Sequence, residues 1–315
     1  MKPIADYSSE DLSALLNELE VQYKEAQAQN LKLNMARGKP ATTQLNLSNA
    51  LLDKMESYTL ADGTDARNYG ILDGIPECRK LFGELLGINP DQIIIGGNAS
   101  LNVMFDTLSF LCLFGTGGSE PWIYSKHNGT PVKFLCPVPG YDRHFTICEE
   151  LGIEMITVPL NEDGPDMETV KKLVSEDASI KGIWCVPLHS NPQGVCYSDE
   201  VVQQLASMET AADDFRIFWD NAYGVHHIYE DVALKDIIKE CEKCGHPDRV
   251  YYFFSTSKIS FPGAGIALVA SSPANIKELK GHMSAQTIGH DKLNQLRHVQ
   301  FFKTPENIRA HMKTL

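Results

Sequence analysis

The sequence predicts an α/β fold, a mainly parallel sheet of seven strands sandwiched by helices. Three observations carry that expectation. From Asp91 onward, short apolar runs alternate with stretches of helical spacing in the order strand, turn, helix. The unusual loops fall after the apolar runs, where ligands collect in sheets of this kind. With 315 residues and 43% apolar content the chain can bury a large core, and no internal repeat or low-complexity segment interrupts it.

In chain order, Ser8-Ser9-Glu10-Asp11 resembles a capping box, and Leu12, Leu15, Leu16 and Leu19 follow at helical spacing. An amphipathic helix running to about Asn30 and packed on the outside is expected. The seven strands are expected at Gln92 to Ile95, Lys133 to Val138, Glu154 to Leu160, Ile180 to Val186, Phe215 to Asp220, Val250 to Phe254 and Gly265 to Ala270. Helical patterns occupy Ala99 to Leu113, Asp142 to Leu151, Asp166 to Ser175, Ser198 to Met208 and Val232 to Cys244. Gly115 to Ser119 reads as a surface excursion, since no helix-period run follows it at once.

Composition narrows the function classes. No apolar stretch approaches bilayer length, and Met1-Lys2-Pro3-Ile4-Ala5-Asp6 lacks the basic-then-apolar order of a secretory signal, so a cytoplasmic protein without a membrane partner is expected. A formal charge of −13 repels nucleic acid, and any anionic ligand must be met by locally placed cations lining a pocket. The eight scattered cysteines suit reduced core thiols. Cys241 and Cys244 with His246 lack a fourth nearby ligand, so no metal is expected.

The loops after the strands carry the chemistry. Lys258 lies in Ser255-Thr256-Ser257-Lys258 just past Val250 to Phe254, and Asp220-Asn221-Ala222-Tyr223 follows another strand. A lysine amine can hold an aldehyde cofactor and later carry a proton, and an acid such as Asp220 keeps a pyridine nitrogen protonated. Together they read as a pyridoxal phosphate site. Gly96-Gly97-Asn98-Ala99-Ser100-Leu101 joins a strand to a helix whose free amides, with the Ser100 hydroxyl, can bind a phosphate. Tyr141, in Pro139-Gly140-Tyr141-Asp142-Arg143-His144, offers a face for a flat heterocycle, and Asn191 could donate to a ring phenolate. Singly, each has a plain alternative: a solvated lysine, a core tyrosine, an ordinary Asn-Pro turn. Their common placement after strands favours one cofactor.

These residues give the chain a specific resemblance, over nearly its whole length, to fold-type-I pyridoxal phosphate enzymes, and within them to the bacterial aspartate aminotransferases of subgroup Ic. Its carriers are Asn34 to Pro40, Asn68-Tyr69-Gly70, Gly74 to Glu77, Phe134 to His144, Asp220 to Tyr223, Ser255 to Lys258 continuing to Gly265, and Asn294-Gln295-Leu296-Arg297-His298. The segment Gly118 to Trp122 also resembles that subgroup. The resemblance implies the pyridoxal-phosphate transferase fold, transamination between L-aspartate and 2-oxoglutarate, and a homodimer. It makes Lys258 the Schiff-base lysine, Asp220 the pyridinium partner, and Tyr223 and Asn191 donors to the ring oxygen. Tyr141 would stack on the ring, and His144 would hold Asp220. Ser100, the Leu101 amide and Ser255 would grip the phosphate, helped by Tyr69 of the neighbouring subunit. Gly38 would lie over the substrate, with Arg37 and Lys39 beside its carboxylates; Lys126, Arg143 and Arg297 are further cations for a distal carboxylate.

The resemblance further implies residues 1–50 as the N-terminal helix and substrate loop, 51–290 as the large cofactor-binding domain, and 291–315 as the start of a long linker helix. Relatives continue beyond that point by on the order of 100 residues, a small domain. Where many relatives carry a phosphate-binding arginine after the lysine, this chain has Pro262-Gly263-Ala264-Gly265-Ile266, leaving the serines, the amides and the partner chain. Alternatives are a β-lyase or decarboxylase of the same fold type, or a catalytically impaired cofactor-binding homologue, since fold alone does not choose the reaction.

Overall fold

The structure, a computed structural model, describes residues 3–32, 38–53, 55–227 and 231–315. The chain divides into two compact units, residues 1–41 and 42–315. The first holds helix α1 (Ser9–Ala28), whose preceding Ser8 hydroxyl accepts from the Asp11 amide at 3.1 Å. The helix stops two residues short of the expected end, and none of its side chains is buried.

The second unit continues with α2 (Thr42–Asn46), α3 (Pro76–Leu86), β1 (Ile93–Ile95), α4 (Ser100–Phe114), α5 (Trp122–His127), β2 (Lys133–Val138) and α6 (Asp142–Leu151). Next come β3 (Glu154–Asn161), β4 (Gly164–Pro165), α7 (Met167–Glu176), β5 (Ile180–Cys185), α8 (Asp199–Ser207), β6 (Arg216–Asp220) and α9 (Ile237–Lys243). The chain ends with β7 (Val250–Ser255), β8 (Ala267–Ala270), α10 (Pro273–Gln286), α11 (Lys292–Phe302) and α12 (Pro305–Thr314).

The strands form one sheet in the order β1-β8-β7-β6-β5-β2-β3-β4. The expected seven strands are all present, and the two-residue β4 adds an eighth at the edge by turning back on Leu160 and Asn161. β7, β6, β5, β2 and β3 are parallel neighbours, while β8 runs antiparallel to both β7 and β1. β1 therefore points the same way as β7. The carboxyl ends of β1, β2, β5, β6 and β7 consequently share one edge, which fixes where the functional loops meet.

Strand alternation divides the interior into two cores. Ile217, Trp219, Tyr252 and Phe254 face one layer with Phe82, Val170, Leu205 and Phe302, contributed by α3, α7, α8 and α11. Phe218, Tyr251 and Phe253 face the other with Met104, Leu108, Cys148 and Leu279 from α4, α6 and α10. Burial pushes the Cys241 and Cys112 thiols up to about 12, in keeping with unreactive reduced cysteines.

Three expectations change. The single long helix expected from residue 291 is two helices, because Lys303 takes a φ of 64° and Thr304 caps a new helix with Pro305 in its first turn. The helix expected from Val232 starts at Ile237, where the Asp236 side chain accepts from the Lys239 amide. The loop at Gly115 to Ser119 is no mere surface excursion: Thr116 is buried and receives a hydrogen bond from Arg216 at 3.1 Å.

Gly182 sits mid-strand where β5 crosses Phe134, and an added Cβ would strike that ring and come within 2.8 Å of the Arg216 carbonyl oxygen. Gly182→Ala should therefore destabilise the sheet by roughly 1–3 kcal/mol. The urea unfolding midpoint of the variant, compared with the parent, measures it.

Candidate active site

Asp220 ends β6 opposite Phe253 of β7 and is buried. A carboxylate this dry must be partnered or its charge becomes unfavourable. Its Oδ2 lies 3.0 Å from Nε2 of His144 in the first turn of α6, and the His144 ring stacks on Trp184 of β5 at 4.3 Å and 8°. The other oxygen, Oδ1, is buried and has no hydrogen-bond partner among the described residues. An unpaired acceptor on an otherwise fixed carboxylate fits a protonated ring nitrogen, so the residues present suit pyridoxal phosphate.

Lys258 follows β7 by three residues, and its Nζ stands 5.7 Å from the centre of the Tyr223 ring in the turn after β6. Its carbonyl accepts from Nε2 of His226 at 3.1 Å, which ties the lysine loop to the Tyr223 turn. Burial raises the Tyr223 hydroxyl's pKa, with the charges of Asp220 and Tyr141 adding to it, so it is held as a hydrogen-bond donor. Tyr141 meets His144 edge-on at 5.1 Å, and Asn191 lines a small cavity with Tyr141, His144 and Trp184.

The glycine loop after β1 is fastened by Gly96 N to the Ala267 carbonyl at 2.9 Å and Gly97 N to Nδ1 of His290 at 3.2 Å. α4 then starts at Ser100, so the Ser100 and Leu101 amides lie in its first turn, where no intrahelical acceptor exists. Ser255 closes β7 and donates to Ser257 at 3.1 Å. Gly265 binds these parts together: a Cβ there would lie 2.9 Å from the Asn98 carbonyl and 3.1 Å from the Thr256 hydroxyl.

Tyr69 is 82% exposed, and the chain just past it is anchored. The Gly70 carbonyl accepts from buried Lys292 at 3.0 Å, and the Ile75 amide donates to Gln295 at 2.8 Å. Of the substrate-binding candidates, Gly38 and Lys39 belong to the first unit, and Arg37 lies outside the described residues. Lys126, Arg143 and Arg297 form no ion pair among the described residues, and no contact joins them to Asp220 or Lys258 there.

Sequence reasoning noted Asn294 to His298 only as a likeness; the structure gives it a task. Asn294 donates to the Ala264 and Gly265 carbonyls at 3.1 and 2.9 Å, and Gln295 holds Ile75. His298 donates from Nδ1 to the Asn294 carbonyl at 2.8 Å, and its Nε2 accepts from Ser260, also at 2.8 Å, two residues past Lys258. Trp184, His290, Lys292 and Thr256 were likewise unforeseen. Only the polar residues of α11, spaced three and four apart, could have flagged such a face.

The sequence profile of the aspartate amino-transferase family matches residues 7–315. The chain belongs to that family. This aminotransferase is 43% identical to an aspartate aminotransferase of Corynebacterium glutamicum over 314 residues, 98% of this chain and 72% of that protein. The crystal structure of an aspartate transaminase from that organism superposes with a TM-score of 0.92, covering 98% of this chain and 73% of the other at 43% identity. A candidate aminotransferase of Mycolicibacterium smegmatis is 47% identical over 92% of this chain and 68% of its own length. Pyridoxal phosphate is the cofactor of this transaminase. None of its described helices is long and apolar enough to cross a membrane.

Burial lowers the pKa of His298 from 6.5 to about 4. Below pH 6.5 the unfolded imidazole takes a proton that the folded one refuses until about pH 4, so stability present above 6.5 is lost on acidification through that window. The slope from this one group should be about 1.4 kcal/mol per pH unit. Denaturant titrations at stepped pH should show the acid limb shallower by one proton in His298→Gln.

Proposed function

We propose that this aminotransferase exchanges the amino group of L-aspartate with 2-oxoglutarate, acting as a cytoplasmic homodimer. The observation that carries the chemistry is the Asp220 carboxylate, locked by His144 with one oxygen unpartnered among the described residues, on the strand that leads to Tyr223, the ring Lys258 approaches. The choice of aspartate is supported by the 43% identity to the C. glutamicum protein of that name.

When bound, pyridoxal phosphate supplies an electron sink for the substrate α-carbon. The chain's own residues do the rest. Lys258 Nζ would hold the cofactor's aldehyde group and, once freed, would be the base that carries the substrate's α-proton. Asp220 keeps a proton on the ring nitrogen, and the stacked His144 keeps Asp220 oriented. Tyr223 and Asn191 donate to the ring oxygen, and Tyr141 covers one face. Ser100, the Leu101 amide and Ser255 bind the phosphate. Gly38, with Arg37 and Lys39, keeps the substrate-recognition role that the sequence resemblance gives it.

A donor series of aspartate, glutamate, alanine and aromatic amino acids with 2-oxoglutarate tests the substrate choice. Aspartate should lead by about ten-fold or more in kcat/KM, a transition-state preference of about 1.4 kcal/mol; an aromatic or alanine preference overturns it. Asp220→Ala should fold normally and lose about a hundred- to a thousand-fold in turnover, with Lys258→Ala losing essentially all of it and the visible absorbance of the bound cofactor.

The phosphate lacks an arginine after Lys258, and the exposed Tyr69, with the chain just past it anchored, would serve the neighbouring subunit's phosphate across a two-fold axis. Tyr69→Phe should leave a dimer in light scattering and weaken cofactor affinity by roughly ten-fold, the worth of one hydrogen bond to a charged group. Unchanged affinity in a proven dimer would sink the shared site.

A further inference from the structure

At the amino ends of β6 and β7, across the sheet from Asp220 and Lys258, lies a second cavity of about 440 Å³. Arg216 opens β6 and Arg249 immediately precedes β7; both line the cavity and both are more than nine-tenths buried. A buried guanidinium is ordinarily paired with a carboxylate. Neither of these is paired among the described residues.

Arg249 donates from Nη1 to the carbonyls of Ala206 and Met208 at 3.0 and 2.7 Å, and its remaining side-chain nitrogens have no partner among the described residues. Arg216 reaches the Phe215 carbonyl and the Thr116 hydroxyl, which leads on to Glu278 at 3.3 Å, and its Nε is buried and unpartnered among the described residues. Burial pushes the Arg249 pKa down, and the neighbouring Arg216 charge pushes the same way; burial and Arg249 do the same to His246, a further lining residue.

Among the described residues, none of the acids on the wall forms an ion pair with either arginine. Asp214 is held by Lys181 at 2.6 Å and by the Trp122 indole at 2.7 Å. Asp248 accepts from Ser272. Asp213 is exposed. Glu209 acts on Arg249 only through space.

We propose that this cavity is a binding site for a small oxyanion-bearing molecule, a phosphate or carboxylate compound whose charged oxygens sit between Arg216 and Arg249. It is separate from the cofactor's phosphate loop, which lies at the opposite edge of the sheet. With a charge of −13 over the whole chain, an anion here would depend on these two guanidinium groups.

The test is calorimetric titration of the cofactor-loaded enzyme with inorganic phosphate and, separately, acetate, against chloride at matched ionic strength. One saturable site per chain is expected. Preference for phosphate assigns a phosphate-bearing ligand, and equal or better binding of acetate assigns a carboxylate. Arg249→Gln should weaken the preferred anion at least about ten-fold while aspartate turnover persists. Asp213→Asn, at an exposed position that leaves the fold intact, should tighten it about two- to three-fold at low salt. Binding no stronger than that of chloride, unaltered affinity in a folded Arg249→Gln, or no tightening in Asp213→Asn overturns the proposal.

Discussion

A carboxylate held inside a dry sheet edge is the constraint around which the rest is arranged. Asp220 is buried at the end of a strand whose neighbours are Phe253 and Trp219, and among the described residues only the His144 side chain meets its carboxylate. The imidazole can hold that position because Trp184 covers its face and α6 begins two residues earlier, so helix start, strand end and aromatic stack converge on one oxygen. The second oxygen has no partner among the described residues and stays available to a donor.

A second layer of design lies in α11. Four of its polar residues take the carbonyls, amides and hydroxyls of neighbouring loops: Ala264 and Gly265 through Asn294, Ile75 through Gln295, Ser260 through His298 and Gly70 through Lys292. One helix thereby ties the lysine loop to the Tyr69 loop. Because His298 must be neutral to accept from Ser260 while donating to Asn294, the same residue couples loop order to pH.

Much of the fold was legible because parallel strands covered on both faces announce themselves as apolar runs, and β2 and α6 were read with their observed bounds. The positions of Asp220, Tyr223 and Lys258, at or just past the ends of β6 and β7, were legible for the same reason. What escaped was one local cap and one long-range contact. The break at Lys303 depends on a capping threonine and a proline that the helical pattern runs straight through, and Thr116 looks like loop until Arg216, a hundred residues on, reaches it. Cations for the substrate carboxylates stayed undetermined, because charge in a sequence carries no direction.

Gly265, wedged between the Asn98 carbonyl and the Thr256 hydroxyl, makes the glycine loop and the lysine loop share a single surface. A molecule that orders one orders the other. The free energy of cofactor association therefore spreads into the whole edge of the sheet, adding about 2.7 kcal/mol to folding when the cofactor stands at a hundred times its Kd. A chain loaded with cofactor then opens less often, and a protease that cuts the open form meets it more rarely.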